Sequence, residues 1–510
     1  MQIPFRVSLA SKGFPFLSEL QGRTVVVPQL DLLSKTQSMD WVVDGNLAMP
    51  EIYYGHNIIP TSEGYQAVAY RTLVNAPTDT DTLFTDALIL RDSSGNKAYL
   101  CATSSGRNYI LKDYLSGWVR TTDVAHAAVG DLVTTAYVNG VTYIYYQGVG
   151  CYVYNFTTNT LVLTALTGLV AGDIYGLVGA DGFLLAFSAD QLVWSSTITP
   201  TDFTPSVITG SGGGSVQDLR GIITTVLAYK YGFIIYSQYN IVVGLYTGNI
   251  RYPFSFKEIV GSGGVSDPRY VCVDPVSGDH YAWTTSGLQL VTSTVTNAVF
   301  PALTDFIAGS YFEDFSESTK TFTQTHLSAP MVKKLTAIAD RYVVFSYGIS
   351  SLTHAIVYDT ALKRMGKLKI PHVDCFEYLL LSGSPVDSPR NAVGFLQADG
   401  TVKVASFSIN AQYSSGVILL GKFQVTRGNT CTLVDVSLEN VRADSNFSCD
   451  DIYTLDGKDV AGITPGYLAQ SSNFFRQYTF RQPGLNHTLA FIGGFNMVSL
   501  VLKVTQGGFR

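Results

Sequence analysis

The chain is 510 residues long, more than one ordinary core needs, with 46% hydrophobic residues but 14% charged ones against the roughly 25% of average soluble proteins. Its formal net charge of −6 leaves no basic footprint for gripping nucleic acid, no run approaches the ~20 apolar residues of a membrane helix, and residues 1–20 lack the pattern of a signal peptide. A chain so poor in charge, yet holding 31 Tyr and 28 Phe, is expected to bury much of its surface against partners.

Residues 1–64 are dotted with proline and irregular. From about residue 65 to about 410, short apolar or aromatic runs alternate with turn dipeptides: Ser94-Gly95, Asn139-Gly140, Asp181-Gly182, Ser277-Gly278, Ser286-Gly287 and Asp399-Gly400, with Asp456-Gly457 further on. Asn-Gly and Asp-Gly supply the positive φ angles of two-residue hairpins. Runs at 134–137, 141–146 and 151–155 make one such series, and the grammar continues through 174–194, 222–245, 270–291, 338–358 and 393–407.

Residues 177–194 (LVGADGFLLAFSADQLVW) and 227–244 (LAYKYGFIIYSQYNIVVG) superpose with Gly182-Phe183 over Gly232-Phe233, a period of 50 residues. Apolar β-type runs repeating at that length are the signature of propeller blades. After residue 412 the runs lengthen, and residues 488–504 (TLAFIGGFNMVSLVLKV) read as a buried strand pair turning at Gly493-Gly494. The expected fold is therefore all-β: a β-propeller of about six or seven blades over 65–410, then a β-sandwich platform over 411–510, completed by segment 1–64.

Site motifs are weak. SGGGS (211–215) and GSGG (261–264) lack the lysine of a phosphate loop and open no helix, so they read as flexible connections between blades. Asp444, Asp450, Asp451, Asp456 and Asp459 lack the spacing of a calcium loop and read as a solvated turn. Glu313, Asp314 and Glu317 could supply a carboxylate pair for glycoside hydrolysis, but read first as a charged loop flanked by Phe312 and Phe315. The seven histidines show no zinc spacing, and no nucleophile elbow is present. Cys101, Cys151, Cys272, Cys375, Cys431 and Cys449 show no CxxC and are expected to be buried thiols. No catalytic, cofactor-binding or metal residue is assigned, no cofactor is expected, and the chain is not expected to be an enzyme.

Two segments form a familiar pair. LVWSSTITPTDFTP (192–205) is followed by glycines, and VVGLYTGNIRYPFSFKEIVGSGGVS (242–266) comes some forty residues later. With HNIIPTSEG (56–64), GVILLGKFQVTRGNTCT (416–432) and the closing FIGGF and GGFR, this order resembles the tail nozzle proteins of short-tailed bacteriophages, also called packaged-DNA stabilisation proteins. The resemblance implies a structural virion protein, assembled in the host cytoplasm as a homohexameric ring beneath the portal and the head-to-tail adaptor. It also implies outward or downward propellers, a ring-forming platform, and tail fibre or tail needle proteins as partners. Packaged dsDNA would be retained, then pass through the lumen during ejection without tight binding, and no membrane insertion is implied. A low-charge, aromatic-rich chain suits such an assembly, and lumen-facing loops are expected to be neutral to acidic, since a basic lumen would hold DNA back. Two alternatives stand beside it: a propeller binding module for a host-surface receptor or tail-fibre attachment, and a tail-associated polysaccharide-degrading enzyme using Glu313 or Asp314.

Overall fold

The computed structural model describes residues 2–8, 40–44, 46–47, 52–61, 64–78, 83–112, 116–124, 133–274, 277–299, 311–319, 321–328, 331–338, 341–377, 392–407, 415–424, 431–439, 442–443, 447–455, 458–459, 467–472, 475–484, 486–497 and 499–506. Among them every regular element is a strand except two single 3-10 turns, at Ala171–Asp173 and Pro268–Tyr270.

Seven sheets, each built on four strands, form the body. Blade 1 is Phe84–Arg91, Lys97–Thr103, Asn108–Leu111 and Val119–Arg120, and blade 2 is Val133–Val138, Val141–Tyr146, Gly150–Asn155 and Thr160–Thr164. Blade 3 is Gly176–Ala180, Phe183–Phe187, Gln191–Trp194 and Gly212–Ser215, and blade 4 is Ile223–Tyr229, Gly232–Ser237, Ile241–Tyr246 and Phe254–Glu258. Blade 5 is Val271–Val273, His280–Thr284, Gly287–Val291 and Thr296–Ala298, and blade 6 is Val332–Ile338, Tyr342–Gly348, Leu352–Asp359 and Arg364–His372. Blade 7 takes Asp374–Phe376, Ala392–Leu396 and Val402–Ser406, and its fourth strand is Ala69–Val74, paired as Val402↔Val74 through Ser406↔Ala69.

The first strand of each blade touches the first strand of the next, from blade 1 round to blade 7 and back to blade 1. The chain is thus a closed seven-bladed β-propeller whose last blade is finished by a strand that precedes the first. Each neighbouring pair of blades has its own buried core. Leu90, Ile144 and Tyr146 fill the space between blades 1 and 2, and Phe183, Phe233 and Phe254 the space between blades 3 and 4. Turn chemistry sets the hairpins: Asn139-Gly140 and Asp181-Gly182 take φ of 50° and 83°, and 48° and 83°, as a two-residue type I′ turn requires. Gly182-Phe183 and Gly232-Phe233 open the second strands of blades 3 and 4, so the 50-residue repeat is one blade laid beside the next.

Strands within a blade alternate in direction. The turns from first to second and from third to fourth strand therefore share one end of the propeller, the lower face. Second-to-third turns and blade-to-blade connections share the upper face.

The remaining strands attach at blade 6. Its outer strand continues through Ile58–Pro60, Tyr65–Ala67, Phe495–Met497 and Arg442–Ala443 into one eight-stranded sheet. Two further sheets follow: Gln2–Ser8, Ser499–Gln506, Cys431–Glu439, Phe475–Gly484 and Tyr467–Ser472 in one, and Asn46–Leu47, Asp40–Asp44, Gly416–Gln424, Asn486–Gly493, Ser448–Leu455 and Lys458–Asp459 in the other, where Ile52–His56 also pairs with Gly416–Gln424. Val436, Tyr478 and Phe480 of the first join Ile418, Leu489 and Phe491 of the second in a core continuous with that of blades 5 and 6.

The expected strand pair across Gly493-Gly494 is not formed. Asn486–Gly493 pairs with Gly416–Gln424 and Ser448–Leu455, Phe495–Met497 with Tyr65–Ala67 and Arg442–Ala443, and Ser499–Gln506 with Gln2–Ser8 and Cys431–Glu439. A run that is apolar throughout can be buried in several sheets, and Gly493, at φ 119°, redirects the chain between them.

Candidate functional site

The two motif segments that lie furthest from ordinary blade grammar end on the same face. Residues 195–211 join the third and fourth strands of blade 3, residues 247–253 those of blade 4, and both lie on the lower face. In TDFTP, Asp202 accepts the Thr204 backbone N–H (3.0 Å), Phe203 N–H bonds Thr167 O (2.8 Å), and the Phe203 ring is buried in the blade 2–3 core. In YTGN, Gly248 takes φ 75°, Thr247 N–H bonds Pro253 O (2.8 Å), and Asn249 accepts the Arg251 N–H (2.9 Å). The loops pack together: a Cβ on Gly210 would fall 2.8 Å from Ile250 Cγ1, and Trp194 Nε1 donates to Gly210 O (2.9 Å).

Beneath them lies an aromatic floor, with Trp194 and Phe183 centroids 5.5 and 5.3 Å from Phe254. Above it, Ile198, Val207 and Ile208 of blade 3 and Tyr231, Ile250 and Tyr252 of blade 4 are exposed, Ile208 by 84% and Tyr231 by 75%. Asp202 and Arg251 are the charged residues of the two loops. Asp181 and Lys230, in the first-to-second turns of blades 3 and 4, share that face, with Lys230 paired to Asp279 (2.8 Å). Large apolar side chains exposed together on one face mark an interaction site.

The channel-facing strands carry a second feature, at their upper ends. Lys334 of blade 6 bridges Asp86 of blade 1 (2.7 Å) and Asp374 of blade 7 (2.9 Å), and Arg269 pairs with Asp267 (2.6 Å) before blade 5. Burial opposes the Lys334 charge, but Asp374 and Asp86 outweigh it and hold the ammonium above its ordinary value.

The carboxylates singled out in the sequence lie in a third place, Glu313 and Asp314 in a strand and Glu317 in the turn that follows it. Glu313 and Asp314 belong to the strand Tyr311–Ser316, which pairs with Thr321–His326 as a hairpin inserted between blades 5 and 6. Both sides of that strand are covered, so a local pattern of charge between aromatics becomes a buried edge. Asp314 accepts two bonds from Lys369 Nζ (2.6 and 2.8 Å) and lies 3.3 Å from Tyr54 OH, while Glu317 is 3.0 Å from His56 Nε2. Burial works against the Asp314 charge, yet Lys369 holds its carboxyl below the usual range, the opposite of what a general acid in glycoside hydrolysis requires. The structure also gathers His56, His354 and Lys367 here, a constellation scattered over more than three hundred residues with no short-range signal. Burial pushes Lys367 down to about 8 and His354 down to about 2.

Neither glycine run is a loose linker. Gly212–Ser215 is the outer strand of blade 3, and within GSGG a Cβ on Gly264 would fall 1.8 Å from Gln238 O, so close backbone approach demands that glycine. Asp450 and Asp451 lie in the strand Ser448–Leu455, with Asp450 buried, so they are not a solvated turn; Asp459 is in a short strand, while Asp444, Asp456 and the Asp456-Gly457 turn fall outside the described residues. Cys101, Cys151, Cys272, Cys375 and Cys449 are buried free thiols. No metal-holding group of His, Cys, Asp or Glu occurs among the described residues.

No protein-family profile matches the chain, and no curated protein sequence matches it. Among solved structures it is similar to YCF48 bound to a D1 peptide, at 8% identity and TM-score 0.39, covering 67% of this chain and 95% of that one. It is similar to the extracellular domain of the hybrid two-component system BT3049 from B. thetaiotaomicron at 15% identity and TM-score 0.39, covering 80% of this chain and 52%, about half, of that one. It is also similar to the WD40 β-propeller domain of Doa1, at 11% identity and TM-score 0.38, covering 67% of this chain and 98% of that one. The propeller assignment rests on the closed ring of sheets itself.

Proposed function

We propose that this chain is a structural protein of a short-tailed bacteriophage virion. In this reading it forms a ring-shaped tail nozzle that extends the portal and adaptor channel, retains packaged DNA and passes it at ejection. The observation that carries the reading is that the loop holding TDFTP and the loop that follows YTG lie on one face and touch at Gly210 and Ile250. The segments that resemble the nozzle family are neighbours in space, and both frame the exposed apolar surface of blades 3 and 4. Exposed isoleucines and tyrosines on one face suit a lasting assembly with other subunits or tail proteins. The merging of blade 6 with strands from both chain ends suits a platform that carries the propeller as one piece.

Quantitative mass spectrometry of purified virions tests this, beside particles from an infection lacking the protein. About six copies per particle, as a closed ring would give, together with DNA leaking from the deficient heads, is the expected result. Absence from virions overturns it.

Tyr231 and Tyr252, both exposed on the lower face of blade 4, favour a second reading, a binding module for a host-surface sugar or protein. Copies per virion in another multiple, with DNA retained but adsorption lost, would select that reading instead.

A further inference from the structure

The inserted hairpin is held between two bodies by a chain of side chains. Phe315 packs with Tyr54, Val417 and Leu419 of the platform strands, and Phe312 stacks edge-on to His354 of blade 6, centroids 4.8 Å apart. Polar links run the same way. Lys369 of blade 6 bonds Asp314 of the hairpin, Asp314 lies against Tyr54 OH, Tyr54 OH is 3.1 Å from His56 Nδ1, and His56 Nε2 returns to Glu317 at the hairpin turn.

Proton counting shows that this chain is complete in two states. With neutral His56, Nε2–H donates to Glu317, Tyr54 O–H donates to Nδ1, and Lys369 serves Asp314. With protonated His56, Nδ1–H donates to the Tyr54 oxygen and the Tyr54 proton turns to Asp314. The hydrogen bonds therefore do not decide between the states; the burial of the ring does.

His56 is 1% exposed, and the groups that act on it are Lys367 and Lys369 from the blade 6 outer strand, His354 from its neighbour, Glu313, Asp314 and Glu317 from the hairpin, and Tyr54 from its own strand. A proton on His56 puts a charge on a ring that is itself out of water. Lys367 and Lys369 oppose that charge, while Glu313, Asp314 and Glu317 favour it, so the burial of the ring is what disfavours the proton. Glu317, 42% exposed, and Lys369, 36% exposed, are both screened by solvent, so neither offsets the cost of charging the buried ring. Burial holds His56 below its ordinary value against the opposing pull of Glu317, and the two lysines add less.

We propose that the hairpin of Tyr311–Ser316 and Thr321–His326 is a clasp between propeller and platform that opens on proton uptake by His56. Opening returns the imidazole to water, where the charge costs little, so each opened clasp binds a proton that the closed one refuses. The proposal does not depend on the nozzle reading.

Amide hydrogen exchange of the full chain, compared at about pH 7.5 and about pH 5 and corrected for intrinsic rates, tests it on either side of the ordinary histidine range. Peptides covering 311–326 are expected to lose about tenfold protection at the lower pH while blades 2 to 4 keep theirs. His56→Gln is expected to abolish the response. An equal loss across blades 2 to 4, or the same hairpin response in His56→Gln, overturns the proposal. Should that variant not fold, exchange at the imidazole C2–H of each histidine in the unaltered chain reports each titration separately. A hairpin midpoint that coincides with the His56 midpoint supports the clasp, and one that follows another histidine overturns it.

Discussion

Lys334 places its ammonium 2.9 Å from the Asp374 carboxylate, on the first strands of blades 6 and 7, where the ring closes on blade 1. Asp374 Oδ2 also accepts the Ala87 backbone N–H at 2.8 Å, so one carboxylate ties blade 7 to both neighbours. Removing the cation strands a buried charge. Lys334→Met is expected to destabilise the chain by about 3–5 kcal/mol in urea unfolding, and Lys334→Met with Asp374→Leu to recover much of the loss. A lone Lys334→Met as stable as the parent would show that the bridge does not hold the seam.

The two glycine runs separate into sites with and without room. Gly264→Ala, facing Gln238 O, is expected to cost about 1–3 kcal/mol through forced backbone shifts. Gly214→Ala, with nothing within 4 Å of a new Cβ, should stay within about 0.5 kcal/mol. Paired thermal melts of the two variants decide the matter, and equal effects would refute the close-approach account.

Acid should weaken this protein before its carboxylates titrate. His280 donates from Nε2 to Ala228 O (2.7 Å) and faces Tyr236 OH (2.9 Å), and His372 donates from Nδ1 to Ile370 O (2.8 Å) and faces Ser346 Oγ (2.7 Å). Burial pushes both down to about 4. A depressed histidine contributes stability that is complete above its unfolded value near 6.5 and is lost as pH falls toward the folded value. The melting temperature is therefore expected to fall steadily from about pH 6.5 to about pH 4, and a flat profile there would contradict the buried neutral rings.

The apolar lower face can be tested apart from the fold. Ile208→Lys and Ile198→Lys sit on exposed loop positions and should change stability by less than about 0.5 kcal/mol. On the proposed tail-nozzle function, incorporation into virions, scored against the parent in mixed infections, is expected to drop sharply. Normal incorporation would remove this face from the assembly.

What could be read from the sequence was what is local. Asp181-Gly182 and the Phe183 that follows announce a hairpin because turn geometry depends on neighbouring residues alone. The outer strand Gly212–Ser215 was hidden because glycine has no strand preference; Trp194 and Leu192 on the adjacent strand impose it. Glu313 and Asp314 looked like a loop because nothing nearby reveals Lys369 or His56, which reach them only through the folded ring. The dispersal of residues 486–506 over three sheets is likewise decided by distant partners, among them Gln2–Ser8.

The pairing of Val402 with Val74 sets a timetable for synthesis. Ala69–Val74 leaves the ribosome early, but the strand it completes emerges roughly 330 residues later, about half a minute at ~10 residues per second. For that interval a strand must wait without its neighbour while blades 1 to 6 are laid down in order. The ring is therefore a clock as well as a scaffold. Slow translation lengthens the wait, and Gln2–Ser8, whose partner is Ser499–Gln506, waits longer still.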